Sequence, residues 1–194
     1  MSQEALSRLW PVYGVDAPYA GVVGEGGLIV EIGSGMGEAT AAMAAATPGV
    51  DLLAVEVHPA GVAALLRRLE EQDLTNVRVA RDDAVVVLEA LPPSSLAEVR
   101  VFFPDPWPKA KHTKRRLVRP DFTALVASRL ALGGRLHLAT DVSAYAERAL
   151  EVLADGWTAS VVRRPAHRPV TRFEQQGLDA GRSVTDIFAY SVPG

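Results

Sequence analysis

The chain of 194 residues contains no cysteine, which excludes disulfide bonds, cysteine nucleophiles, thiolate zinc sites and iron–sulfur clusters. It also has no run of about 18 uncharged apolar residues, the length that a membrane-spanning helix needs, so no membrane partner is expected. The first residues, MSQEAL, lack the basic and apolar regions of a signal peptide. Together these absences predict a cytoplasmic protein.

The chain also lacks an excess of positive charge. Its formal net charge is −3, so a nucleic-acid partner would need a local basic patch. Apolar residues make up 48% and charged residues 22%, proportions typical of a globular domain and not of a disordered chain or a coiled coil. At roughly 150 residues per domain, the length predicts one domain over residues 1–194, as a monomer or a homodimer.

Short apolar runs alternate with longer amphipathic stretches along the chain. Most of the runs are continuously apolar, which is typical of strands buried on both faces of a parallel sheet. Seven strands are predicted at residues 28–32, 52–57, 77–80, 99–103, 135–139, 158–162 and 184–190. Five helices are predicted at 38–46, 59–72, 84–91, 121–132 and 143–153, with Gly133-Gly134 ending the fourth. This alternation predicts a doubly wound α/β domain.

Two segments fall outside the alternation, residues 104–119 and residues 163–182, and residues 1–26 precede the first predicted strand as an N-terminal entry segment. Irregular loops longer than about 12 to 15 residues in a compact domain are usually functional or disordered. We therefore expect substrate loops at 104–119 and 163–182.

A glycine-rich turn, GSGMG, follows the first predicted strand. Its glycines, including Gly33 and Gly35, allow the backbone to approach a ligand closely, although a plain structural turn is the alternative. Glu56 follows the last glycine by 19 residues, near the spacing of an acceptor for ribose hydroxyls. Glu31, just before the turn, would repel the pyrophosphate of NAD but suits the cationic amino-acid tail of S-adenosylmethionine. The sequence therefore favours S-adenosylmethionine as the cofactor.

Acids also follow the third, fourth and fifth predicted strands, at the edge of the sheet where ligands bind. Asp83 could accept a hydrogen bond from an adenine amino group, cap the next helix, or do both. Asp105 lies between two prolines with fixed φ, which orients its carboxylate toward the N–H groups of a base. Trp107 could stack on that base or belong to a rigid turn packed in the core. Asp141 is a candidate substrate ligand.

Six of the eleven residues 109–119 are Lys or Arg, and none is acidic. Such a run is often only a solvated face, but its place behind the predicted site favours phosphate binding. The candidate phosphate ligands are Lys111, Lys114, Arg115 and Arg116, beside Lys109. A second basic region leads into Thr171. The four histidines have no ligand spacing, so no metal site is predicted.

Residues 102–117, FFPDPWPKAKHTKRRL, closely resemble the signature of bacterial tRNA (guanine-N7-)-methyltransferases. Further motifs match in the order of that family: WPVYG, EIGSG, AVEVH, ATD and RPVTRFE. The resemblance implies S-adenosylmethionine-dependent methylation of guanine N7 at position 46, in the variable loop of tRNA. It also implies a Rossmann-like class I methyltransferase fold, with a seven-stranded, mostly parallel sheet and helices on both faces.

The same resemblance implies roles for individual residues. Asp105 would be catalytic. The implied cofactor contacts are Glu31, Glu56, Asp83 and Asp105. The implied substrate contacts are Lys109, Asp141, Thr171, Arg172, Phe173 and Glu174. Two other functions stay open on the residues alone: a small-molecule methyltransferase, and a non-catalytic RNA-binding protein on the same fold.

Overall fold

A computed structural model describes residues 2–19, 21–24, 27–107 and 109–192. Its strands are β1 (Leu28–Ile32), β2 (Asp51–Val55), β3 (Val77–Ala80), β4 (Leu96–Phe102), β5 (Leu130–Thr140), β6 (Trp157–Val162) and β7 (Thr185–Ser191). Its α-helices are α1 (Ser2–Tyr13), α2 (Glu38–Ala46), α3 (Pro59–Glu71), α4 (Ala84–Ala90), α5 (Pro120–Arg129), α6 (Ser143–Leu153) and α7 (Arg172–Asp179). A 3₁₀ helix covers Ala110–Arg115. None of these described helices has the length and apolar character needed to cross a membrane.

The strands form one sheet in the order β3-β2-β1-β4-β5-β7-β6. Neighbours among β1 to β5 pair in parallel, whereas β7 is antiparallel to both β5 and β6. The predicted seven-stranded, mostly parallel sheet is confirmed. Because β1 pairs with β2 on one side and β4 on the other, the direction of winding reverses at β1. Open α/β sheets bind ligands beyond the carboxyl ends of the strands at such a reversal.

Apolar side chains pack on both faces of the sheet, as predicted. One face packs against α4, α5 and α6, with Phe122 among its buried residues. The other packs against α1, α2 and α3, with Leu65 among its buried residues. Side chains alternate along β1, so Val30 joins the first core and Ile29 the second. Burial on both faces explains why this strand is a continuous apolar run broken only by an acid.

The predicted end of the fourth helix at Gly133-Gly134 is wrong. The helix ends at Arg129, and both glycines lie inside β5. Leu130 already pairs with Leu96 of β4, and the register between the two strands shifts just beyond this pair. Gly133 accommodates the irregularity because it adopts φ of +80°, a conformation that costs glycine little. The glycine pair therefore marks a bulge in a strand.

The predicted entry segment and the two segments outside the predicted alternation contain helices that periodicity did not reveal. The N-terminal segment forms α1, which packs Leu9 and Tyr13 against the α3 side of the sheet and pairs Arg8 with Glu70. Segment 104–119 contains the 3₁₀ helix, and segment 163–182 contains α7. Residues 1, 20, 25, 26 and 108 of these segments lie outside the described residues.

Gly37, the last glycine of the turn, is expected to tolerate no side chain. It has φ of +76°, and an added Cβ would lie 2.4 Å from Leu65 Cδ1. Backbone strain and overpacking should lower the free energy of unfolding of Gly37→Ala by about 2 to 4 kcal/mol in urea denaturation. Gly49 is the matched control, since its added Cβ would meet no atom within 4 Å, and Gly49→Ala should stay within about 0.5 kcal/mol of wild type. Equal stability of the two variants would contradict this account.

Candidate active site

The turn after β1 leaves an open space above the carboxyl end of the strand. Gly33 and Gly35 have φ of +76° and +55°, and a Cβ added to either would meet no atom within 4 Å. Glycine reaches this backbone conformation readily, so the chain bends without a side chain that fills the space. A ligand can therefore approach these peptide groups closely.

Glu56 follows β2 and is held in one orientation beside this turn. It is 7% exposed, and its two oxygens accept the backbone N–H groups of Gly35 and His58, each at 2.8 Å. A carboxylate oxygen has more than one acceptor site, so each can also accept from a ligand. The position fits an acceptor for ribose hydroxyls.

Glu31 is a deeply buried acid of the site, at 2% exposure on β1. Burial raises its pKa, although a hydrogen bond from Thr40 Oγ1 at 2.7 Å and the charge of Arg100 oppose the rise. A cationic group in the adjacent cavity would compensate the lost hydration. Ser34 Oγ, buried beside the same turn, has no hydrogen-bond partner among the described residues. These groups fit the charged amino-acid tail of S-adenosylmethionine.

Two adjoining cavities lie along the carboxyl edge of the sheet. The first, of about 500 Å³, is lined by the predicted residues Glu31, Gly33, Gly35, Thr171, Arg172 and Phe173. The second, of about 510 Å³, is lined by the predicted residues Gly33, Glu56, Asp83, Asp105 and Arg115. Phe102 and Phe103 line both cavities, so the two form one crevice. Its size suits a cofactor together with a substrate group.

Asp83 caps α4, as one of its two interpretations predicted. Its Oδ1 accepts the N–H of Val85 at 2.7 Å. The neighbouring Asp82 accepts the hydroxyl of Tyr19 at 2.7 Å, which joins the N-terminal segment to this edge of the sheet. Asp83 is exposed and lines the second cavity, so its contact with adenine stays a prediction compatible with the cap.

Asp105 is exposed on a strained loop after β4. Phe103 and Trp107, on either side of it, have φ of +51° and +39°, a region that costs side-chain-bearing residues about 1 to 3 kcal/mol. The Arg116 guanidinium supports the loop from behind, because its Nε donates to the carbonyl of Pro106 at 2.8 Å. The backbone of Asp105 is therefore restrained, and this holds its carboxylate at the mouth of the second cavity.

The basic run divides into exposed and inward-facing residues. Lys109, Lys111, Lys114 and Arg115 are exposed, and the Arg115 guanidinium lies 4.9 Å from the ring centroid of Trp107. Trp107 is half-buried, and stacking of its ring on a base stays a prediction. Arg116 is half-buried in its contact with Pro106, so its direct contact with phosphate is the least supported of the set.

Residues 171–173, in the second predicted substrate loop, form one wall of the first cavity, which we call the substrate wall. Thr171 caps α7, since its hydroxyl accepts the N–H of Glu174 at 3.2 Å. Phe173 is 53% exposed, and its ring meets that of Phe103 edge-to-face at 5.4 Å. Arg172 is also exposed. The structure therefore brings Thr171, Arg172 and Phe173 to the crevice.

Two acids predicted to bind substrate hold arginines in this structure. Glu174 is 2% exposed, and its carboxylate takes two hydrogen bonds from Arg168, at 2.6 and 3.0 Å. Asp141 Oδ2 accepts Arg182 Nε at 2.8 Å. Glu174 lies behind the wall and Asp141 lies beside it. The contact of these two acids with substrate stays a prediction.

Arg168 belongs to a buried charge network that sequence reasoning missed. Its guanidinium also donates to both oxygens of Asp186 on β7, at 2.7 and 2.8 Å. Asp186 Oδ1 in turn lies 2.8 Å from Nε2 of the fully buried His137 on β5. Through these contacts the sheet fixes the first turn of α7, and with it the substrate wall.

The network continues to Glu98 on β4. Burial opposes its ionisation, but nearby His137 and the charges of Arg100 and Arg135 outweigh that effect and lower the pKa of Glu98 to about 2. Arg100 Nε and Arg135 Nη2 donate to its two oxygens at 2.8 and 2.7 Å. Glu98 is therefore an anion at neutral pH.

A cation site at Glu98 is disfavoured for the same reason. Donor atoms of Glu98, His137 and His167 lie within 4.8 Å of one another, a spacing that alone would admit a metal ion. Two guanidinium groups already occupy the Glu98 carboxylate, and their charges repel a divalent cation at this short range. We interpret the cluster as part of the charge network, and the lack of a metal cofactor stays a prediction.

The sequence did contain a sign of this network. Glu98 and Arg100 on β4, and Arg135 and His137 on β5, are each two residues apart, so each pair shares one face of its strand. Reading residues 99–103 as a continuous apolar run concealed this alternation. The pairing with Asp186 and Arg168 had no local sign, because it joins distant segments of the chain.

A doubly wound sheet that reverses at a glycine turn, with acids after or near the ends of β1, β2, β3 and β4, defines a class I S-adenosylmethionine-dependent methyltransferase. Solved structures share this fold at low sequence identity. An rRNA methylase from Streptococcus thermophilus matches with a TM-score of 0.60 at 16% identity, over 89% of this chain and 90% of that chain. A SAM-dependent O-methyltransferase from Thermotoga maritima matches with a TM-score of 0.59 at 18% identity, over 100% of this chain and 65% of that chain.

Sequence comparison is more specific. The family described as “Putative methyltransferase” matches residues 25–187. The tRNA (guanine-N(7)-)-methyltransferase of Streptomyces coelicolor is 49% identical over 95% of this chain and 73% of that protein. The enzyme of the same name from Nitrosospira multiformis is 47% identical over 95% of this chain and 86% of that protein. The chain belongs to the tRNA (guanine-N(7)-)-methyltransferase family, as its motifs predicted.

The lowered pKa of Glu98 predicts an acid-sensitive fold. The carboxylate titrates near 4.5 when unfolded and near 2 when folded, so its contribution is complete above pH 4.5 and disappears as pH falls toward 2. The fall in unfolding free energy from about pH 5.5 to about pH 3 should be about 2 kcal/mol smaller in Glu98→Gln than in wild type.

Urea denaturation at both pH values measures this difference. The exposed residue Glu89 provides the control, because Glu89→Gln should keep the wild-type pH dependence. The account fails if Glu98→Gln loses as much stability on acidification as wild type does.

Proposed function

We propose that this chain transfers the methyl group of S-adenosylmethionine to N7 of a guanine in tRNA, at position 46 of the variable loop. The observation that carries the proposal is the placement of Asp105. Its carboxylate lies at the mouth of the cofactor crevice, on a rigid loop that continues directly into the basic run. The similarity to tRNA (guanine-N(7)-)-methyltransferases, which extends over 95% of the chain, agrees with this substrate.

Residues on β1 and in the segments that follow β1, β2 and β3 would hold the cofactor. Glu31 and the backbone of Gly33 and Gly35 suit the amino-acid tail, Glu56 the ribose, and Asp83 the adenine. When bound, S-adenosylmethionine would supply the methyl group: the N7 lone pair bonds to the methyl carbon as the carbon–sulfur bond breaks, and the bonding pair stays on sulfur, which becomes a neutral thioether. Guanine N7 carries no proton, so the protein does not need a general base.

The protein's main task is then to orient the guanine and to stabilise charge. Asp105 would accept from guanine N1–H or from the exocyclic amine, since a carboxylate is an acceptor for both. This contact orients the base and stabilises the positive charge that develops on its ring. Phe103 and Phe173 offer aromatic faces beside the same crevice.

The substrate wall and the basic run would bind the rest of the tRNA. Thr171, Arg172 and Phe173 line the crevice, and Asp141 and Glu174, which hold Arg182 and Arg168, complete the proposed substrate set. Lys109, together with Lys111, Lys114, Arg115 and Arg116, would bind phosphates. The target guanine is stacked inside folded tRNA, so it must leave the stack to reach Asp105.

Methyl transfer to unmodified bulk tRNA tests the proposal. Purified protein with methyl-labelled S-adenosylmethionine should label tRNA, and cleavage chemistry for 7-methylguanosine should give one labile site in the variable loop. Cofactor binding without label, and without salt-sensitive RNA affinity, would instead indicate a small-molecule substrate. Salt-sensitive RNA binding without label would indicate a non-catalytic RNA-binding protein.

Substitution of Asp105 tests its role in the reaction. Asp105→Ala should lower kcat/KM for tRNA by about 100-fold, the usual loss when one group that stabilises developing charge is removed. Circular dichroism should stay unchanged, because the side chain is exposed. The exposed residue Asp155 is the matched control, and Asp155→Ala should retain wild-type activity. Turnover by Asp105→Ala within a few-fold of wild type would exclude the proposed role.

A further inference from the structure

Glu38 connects the glycine turn, residues 33–37, which we call the cofactor turn, directly to the substrate wall. It is the first residue of α2, immediately after the glycine turn. Its Oε2 accepts the backbone N–H of Arg172, 134 residues along the chain, at 2.8 Å. Both residues line the first cavity. The hydrogen bond therefore crosses from the side of the crevice that would hold the cofactor to the side that would meet the guanine.

The N–H of Arg172 needs an acceptor from outside its own helix. Arg172 begins α7, and the first N–H groups of a helix have no partner within it. The Thr171 hydroxyl takes the N–H of Glu174, and Glu38 takes that of Arg172. A carboxylate beside the first turn of a helix is also favoured by the helix dipole.

The substrate wall is thus held from two sides. Arg168 holds Glu174 and joins the wall to β7 from behind. Glu38 holds Arg172 and joins the wall to the cofactor turn from the front. The rear contact fixes α7 relative to the sheet, whereas the front contact relates the wall directly to the cofactor turn.

We propose that Glu38 is a positioning residue for methyl transfer. It sets the distance and angle between the cofactor turn and residues 171–173, so that the bound guanine faces the methyl group. This inference rests on the proposed function. It assigns Glu38 no contact with the cofactor or the guanine, and therefore predicts effects on tRNA turnover that leave cofactor affinity unchanged.

Two variants separate the hydrogen bond from the rest of the side chain. Glu38→Ala removes the acceptor, whereas Glu38→Gln keeps an acceptor oxygen of the same reach. Glu89→Ala on α4 is the control, since Glu89 is an exposed helical glutamate outside both cavities. Three quantities are measured: kcat and KM for tRNA, the Kd of S-adenosylhomocysteine by calorimetry, and hydrogen exchange of the Arg172 amide.

Glu38→Ala should lower kcat/KM for tRNA roughly tenfold, the equivalent of one hydrogen bond to a charged group. Its Kd for S-adenosylhomocysteine should stay within about twofold of wild type, because Glu31 and Glu56 are intact. The Arg172 amide should exchange about tenfold faster or more, because its acceptor is lost. Glu38→Gln should restore slow exchange and most of the turnover.

Two results would overturn the inference. In one, Glu38→Ala keeps wild-type turnover and a protected Arg172 amide. In the other, both variants lose affinity for S-adenosylhomocysteine, which would make Glu38 a cofactor ligand. If the wild-type protein fails to methylate tRNA, the proposed function fails, while the exchange of the Arg172 amide still decides whether Glu38 holds the wall.

Discussion

The parallel pairing of β1 with β2 on one side and β4 on the other determines where everything else in the site can lie. Parallel strands place their carboxyl ends at one edge, and the reversal of winding at β1 separates the loops that follow. Glu31 on β1, Glu56 after β2 and Asp105 after β4 lie along the same edge for this reason. The glycine turn then keeps the space between them free of side chains.

The substrate side of the crevice depends on buried charge. Burying a guanidinium between Glu174 and Asp186 stabilises little by itself, because desolvation offsets much of the attraction. Removal of one partner, however, would leave an uncompensated charge in the interior. Such a network has few alternative arrangements, so it specifies one position for the start of α7.

The fold was largely predictable, because its elements carry local signs. Continuous apolar runs indicated the parallel strands, and the glycine turn followed by Glu56 indicated the edge of the sheet where the crevice lies. The bulge at Gly133 was missed, since a glycine pair has the same appearance at a helix end and within a strand. Glu38 was missed as well, because its partner is a backbone N–H in a distant segment. Side-chain patterns report nothing about such a contact.

The antiparallel strand β7 has a consequence for the order in which the protein is assembled during synthesis. It follows the other described strands in sequence, yet it inserts between β5 and β6 and supplies Asp186, the sheet's contact with Arg168. The segments that carry Glu31, Glu56 and Asp105 are synthesised earlier than β7, because synthesis begins at the N-terminus. A nascent chain therefore contains the residues proposed to hold the methyl donor before it contains the strand that fixes the substrate wall. Insertion of β7 adds the fixed substrate wall to the proposed cofactor site.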